Sequence, residues 1–260
     1  DVMTRTAVRI LSSFNLVAFI ATLTVNGLAN ALPINGRATG EISDSLPNLF
    51  VPAGFTFAIW GLIYLMLGIW SLWQFVSAMT GREPGVGQIE RLGVLFLIAS
   101  AANISWLIAW HYERFPLSLL FMFILLASLI ALYQRLDIGR VNWSIRTTLA
   151  AHTPFSLYLG WISVATVANV TAVLVAAGWN GFGISEAAWA GAVIVAAALI
   201  AVLMVLQRHD SVFALVVLWA FFGIIMARIA GEYQSRDVAI VAAGSAGIVL
   251  AVLLRRWLVK

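Results

Sequence analysis

Three short clusters in this sequence carry residue types suited to holding a ligand rather than to breaking a bond. Phe57, Trp60 and Tyr64 recur at spacings of three and four, as do Asn103, Trp106 and Trp110. Such spacings put side chains on one face of a helix. A third stretch places Tyr158, Trp161, Ala165 and Asn169 on a similar period, with His152, Ser156, Ser163 and Thr166 running beside it. Indoles, phenols and amides together offer flat apolar walls with a few directed hydrogen bonds, which is the chemistry of a site for a flat hydrophobic molecule. Packing between helices is the competing account of each ring, because a deep tryptophan serves a core as well as a pocket.

Bond-making chemistry finds no such clusters. The chain has no cysteine, which excludes disulfides, thiolate catalysis and cysteine-held metals. No Walker loop, dinucleotide fingerprint or nucleophile motif occurs, and the glycine-rich 178–183 stretch lacks the Lys-Ser/Thr of a phosphate loop. His152, standing alone, reads as a hydrogen-bonded core histidine rather than a haem ligand. The acidic residues lie in loops or at the ends of apolar runs, and Arg228 with Glu232 one turn later reads as a structural contact. Proton-coupled transport is therefore disfavoured. The expectation is a protein that is not an enzyme and has no obligatory cofactor.

The elements that position these clusters follow from composition. Of 260 residues, 62% are hydrophobic and 10% charged, against about a quarter charged in a soluble domain. Mean hydropathy is +0.99. Eight apolar runs stand at roughly 7–28, 51–78, 92–110, 117–133, 150–177, 187–206, 212–230 and 238–258, each long enough for a membrane-spanning helix. The sequence thus predicts an all-α polytopic membrane bundle of about eight spans. The first run is read as a retained helix rather than a cleaved signal, and the lack of an initiator Met before Asp1 suggests that a short leader is absent from the sequence.

Eight spans put both termini on one side. Four of the 15 basic residues, Arg37, Arg114, Arg228 and Arg236, then fall opposite the termini, and the rest, Lys260 included, fall with them. That asymmetry predicts cytoplasmic termini. Because the cations are scattered between apolar runs, the net charge of +4 points to a membrane and not to nucleic acid. One long connection, 33–50, lies on the outer side and reads either as a lid or as a solvated link. Counted from that side, Trp60, Asn103 and Asn169 share a layer roughly 10–14 Å deep.

The same clusters carry a family resemblance. Phe57-Ala-Ile-Trp60-Gly-Leu-Ile-Tyr64, preceded by Val51-Pro52-Ala53-Gly54, resembles the second-helix signature of the TspO/MBR family of tryptophan-rich sensory and translocator proteins. Asn103-Ile-Ser-Trp106 is similar to its third-helix motif, and Tyr158-Leu-Gly-Trp161 through Asn169 to its fifth. The resemblance implies a five-helix core over residues 1–177, with 178–260 as three additional helices. It also implies a pocket beneath the 33–50 loop for porphyrins, sterols or synthetic aromatic ligands, and a homodimer. Carried onto this chain, the expected ligand-binding residues are Phe57, Trp60, Tyr64, Asn103, Trp106, Tyr158, Trp161 and Asn169.

The expected function is a receptor or carrier for a hydrophobic, tetrapyrrole-like ligand in a bacterial inner membrane, in contact with membrane lipid. The alternative is an accessory subunit of a larger membrane complex, suggested by small residues such as Gly191, Gly223, Gly244 and Gly247 in the last three spans.

Overall fold

The computed structural model describes residues 3–32, 34–141 and 143–258. Asp1, Pro33 and Lys260, used in the reading above, lie outside the described residues. All regular structure among them is helical. In order come α1 (Arg5–Ala31), α2 (Thr39–Asp44), α3 (Ile59–Thr80), α4 (Gly85–Leu92), α5 (Leu95–His111), α6 (Phe115–Arg135) and α7 (Ile145–Thr147). A π-helical turn, Thr148–His152, leads from α7 into α8 (Thr153–Ala176), and α9 (Glu186–Arg208), α10 (Ser211–Ala230) and α11 (Arg236–Leu258) complete the chain.

Each expected span has its helix. Seven stretches are long and apolar enough to cross a bilayer alone. The third expected span is α5, which at 17 residues does so only jointly with α4, bent from it by 62°. Gly93 makes that bend at φ +53°, a conformation costly for a residue with a Cβ. The spans expose large apolar side chains, among them Val17 (62%), Leu65 (60%), Leu199 (59%) and Ile248 (61%). Chains that leave so much hydrocarbon uncovered need an apolar solvent, and the fold is that of a polytopic membrane protein.

Side-chain caps fix several starts. Thr4 accepts the Ala7 N–H, Ser185 the Ala188 N–H, and Asp210 those of Val212 and Phe213. The start of the second span is a correction: it does not begin at residue 51. Residues 51–53 are non-helical, Gly54–Ala58 form a 3₁₀ turn, and α3 starts only at Ile59. Pro52 brings no N–H, and tertiary partners take backbone groups a helix would use. Ala53 donates to the Gly223 carbonyl at 3.0 Å, and the Thr56 carbonyl accepts from Trp219 Nε1 at 3.0 Å.

Two compact units divide the chain, residues 1–39 with 59–159, and 40–58 with 160–260. In the first, α1 and α3 run antiparallel in a register set by Gln74 Nε2 donating to the Ser12 carbonyl at 2.9 Å, and by Gly68 meeting the Phe19 ring. Continued along the pair, that register puts Asn15 level with Ser71, and Asn26 level with Trp60. Trp70 fills the centre of this unit against Phe96 and Phe155, at ring separations of 4.5 and 5.0 Å. In the second unit α9, α10 and α11 pack on one another through small buried residues, including Ala198, Ala201, Ala214, Ala220 and Ala242.

Candidate functional site

In the first unit, helix geometry brings five of the expected residues together. Trp60 stacks on Tyr64 (5.4 Å, 18°) one turn along α3, and on Trp106 of α5 (6.3 Å, 26°). Its edge meets Tyr158 of α8 at 6.0 Å. Trp106 stacks in turn on Trp110 (6.2 Å). The rings form one continuous aromatic wall contributed by three helices.

Behind the wall runs a hydrogen-bonded amide chain. Asn26 Nδ2 donates to Asn103 Oδ1 at 2.8 Å, and Asn103 Nδ2 donates to the Tyr158 hydroxyl at 2.9 Å. Both sides of the fully buried Asn103 amide are engaged, which removes the cost of placing it in an apolar layer. Asn26 also donates to the Thr22 carbonyl at 2.9 Å. Motif reading missed Asn26, because it sits on the first helix, in Asn26-Gly-Leu-Ala, with no signature around it. Only the α1–α3 register brings it level with the wall.

Trp106 differs from its stacking partner. Trp110 Nε1 donates to the Thr39 carbonyl at 3.2 Å, whereas Trp106 Nε1 is buried without a hydrogen-bond partner among the described residues. A buried donor without an acceptor is costly and calls for an explanation.

Phe57, Trp161 and Asn169 belong to the second unit. Phe57 lies in the 3₁₀ turn ahead of α3, not on the α3 face where its spacing from Trp60 had placed it, and its ring meets Trp161 edge-on at 5.9 Å. Asn169 is buried, at 3% exposure.

The 33–50 connection is fastened at both ends. In the first unit, His111 at the end of α5 holds it by Nδ1 to the Ile34 carbonyl (3.1 Å) and Nε2 to the Thr39 hydroxyl (3.0 Å). Arg37 pairs with Glu113 at 2.7 Å. In the second unit, one peptide group is held from both sides. Leu49 N–H donates to Glu186 at 2.8 Å, and the Asn48 carbonyl accepts from Arg228 Nη1 at 3.2 Å. Arg228 thus reaches the loop backbone rather than Glu232, and Glu186 is the carboxylate with which it interacts electrostatically. A carboxylate and a guanidinium more than forty positions apart in sequence leave no local signal of such a clasp.

The fold and site are those of a helical membrane protein with a tryptophan wall and a tethered interhelical loop. The chain belongs to the TSPO-like protein family, whose model matches residues 11–255, the last three spans included. No curated protein and no solved structure matches it.

Proposed function

We propose that the protein binds a flat hydrophobic ligand bearing a hydrogen-bond acceptor, of tetrapyrrole type, against the wall of Trp60, Tyr64, Trp106 and Tyr158. The carrying observation is the buried Trp106 N–H without an acceptor. A ligand carbonyl or carboxylate there satisfies the donor, while its ring system extends the stack begun by Trp60 and Trp110. Asn103 supports the site by fixing Tyr158 and does not itself bind. The ligand is bound, and carried or sensed, without chemical change. The proposed setting is a bacterial inner membrane with both termini cytoplasmic, supported by the distribution of basic residues.

The test is titration of protoporphyrin into the purified chain in lipid nanodiscs, read by quenching of tryptophan emission. Saturable quenching is expected, and Trp106→Phe, which keeps a ring but deletes the N–H, weakens it about three- to tenfold. Trp60→Ala weakens it further by removing the stacking partner. Quenching no greater than with empty nanodiscs, or unchanged in both variants, refutes the reading.

A second reading, association with another copy or with a larger membrane complex, is favoured by Gly244 and Gly247 of α11. Both are exposed, and an added Cβ at either meets nothing within 4 Å. Bare backbone on one helix face allows a second helix to approach closely. Gly244→Leu is expected to abolish cross-linking between copies; cross-linking that persists counts against it.

A further inference from the structure

The second unit holds a partly open cavity of about 620 Å³. It is bounded by residues 47–50, the α8 face from Thr166 to Val175, the turn at 179–184 and the first turns of α9. Phe57, Trp161 and Asn169 of the same unit do not line it.

Its walls change character along their length. The wall along α8 and α9 is aliphatic, formed by Val167, Val170, Leu174 and Val193. The hydroxyls of Thr166 and Thr171 donate to the Ile162 and Val167 carbonyls at 2.7 and 3.0 Å, so the threonines present methyl groups as much as polar atoms. At the α8–α9 turn the lining becomes aromatic and polar. Trp179 and Trp189 pack at 5.4 Å, and Trp189 Nε1 is tied to the Gly181 carbonyl at 2.9 Å. That bond fixes the rings as a lip. Thr166 to Val175 spans about 14 Å of helix, so the slot is long, apolar within and amphipathic at its mouth.

The mouth also carries balanced charge. One Glu186 oxygen accepts the Leu49 N–H, and the other has no hydrogen bond among the described residues. Arg228, 6% exposed, stands behind the same peptide group and interacts with Glu186. A carboxylate head would be repelled by Glu186, whereas Arg228, which does not line the cavity, already offsets the Glu186 charge and leaves no net charge for an ammonium head to neutralise. A neutral hydroxyl can donate to the remaining Glu186 oxygen.

We propose that this cavity is a second binding site, for a neutral single-chain amphiphile whose aliphatic chain lies along α8 and whose hydroxyl head sits at Glu186. Nothing in it depends on the aromatic wall of the first unit, so the two sites fail or stand separately.

The experiment uses a long-chain alcohol with a terminal diazirine, photolysed with the full chain in phosphatidylcholine nanodiscs, and adducts mapped by peptide mass spectrometry. Matched carboxylic acid and amine probes test the head, and a diazirine-bearing phosphatidylcholine tests ordinary bilayer lipid. Saturable labelling of the 166–175 and 187–193 peptides by the alcohol is expected, about tenfold above the acid and the amine. Val170→Trp, at a half-buried position on the cavity wall, removes it, and Ala190→Leu serves as a smaller obstruction should the first variant fold poorly. Trp60→Ala leaves it unchanged. Equal labelling by the phosphatidylcholine probe, labelling that never saturates, or labelling that survives both obstructions overturns the proposal.

Discussion

Two buried asparagines show how one residue type can carry opposite consequences. Asn103 accepts from Asn26 and donates to Tyr158, and its replacement strands partners on two other helices. Asn103→Leu is therefore expected to destabilise the protein by about 1–2 kcal/mol, read as a lower unfolding midpoint in a fixed detergent. Asn15 is equally buried, yet neither side-chain atom has a hydrogen-bond partner among the described residues. Asn15→Leu is near in volume and deletes only polar atoms that gain nothing, so it is expected to be neutral or to stabilise by up to about 2 kcal/mol. A drop in midpoint for this variant equal to that of Asn103→Leu contradicts the assignment. Asn103 was legible through its motif, whereas no motif surrounds Asn15 or Asn26 to tell the asparagine that bonds Asn103 from the one that bonds nothing.

Among the elements, α10 has a task its composition hides. It reads as an apolar span, but Trp219, Gly223 and Arg228 each bind the backbone of the 48–56 segment. Gly223 is the closest approach, where an added Cβ would fall on Thr56 Cγ2 and within 2.9 Å of Pro52 Cβ. Both obstacles are short side chains on fixed backbone, so they cannot swing away. Gly223→Ala is expected to cost about 1–3 kcal/mol and to loosen that segment, measured as faster proteolytic nicking within residues 40–56. Glu186→Ala frees the Leu49 N–H and removes the carboxylate beside Arg228 without adding a clash, and is expected to accelerate nicking less. Helices α9 and α10 thus contribute to loop position, a role that small-residue content alone would have assigned to helix association.

For the whole molecule, the absence of native cysteine makes topology directly measurable. With both termini cytoplasmic, Ser45→Cys and Ser235→Cys are expected to react with an impermeant maleimide in intact cells. Ser144→Cys is expected to react only after permeabilisation. Labelling of Ser235→Cys together with Ser144→Cys would mean that the spans do not alternate as counted and that the orientation read from the basic residues is wrong. The same variants test α4 and α5 as one bent crossing, because a failure of that pair to cross would put Ser45 and Ser144 on the same side.

Hydropathy determined the class of this protein because an apolar run of about 20 residues has few stable alternatives to a bilayer-spanning helix. Within α3, α5 and α8 motif spacing determined which rings share a helical face, since that depends only on the local period of the chain. It failed for Phe57, which precedes the start of α3. What lies across from each face was decided by tertiary structure. The delayed start of α3 follows from bonds to Gly223 and Trp219, far along the chain, and the partner of Asn103 lies 77 residues away. Such pairings depend on helix register and depth, quantities set by packing many side chains at once, and no stretch of sequence encodes them by itself.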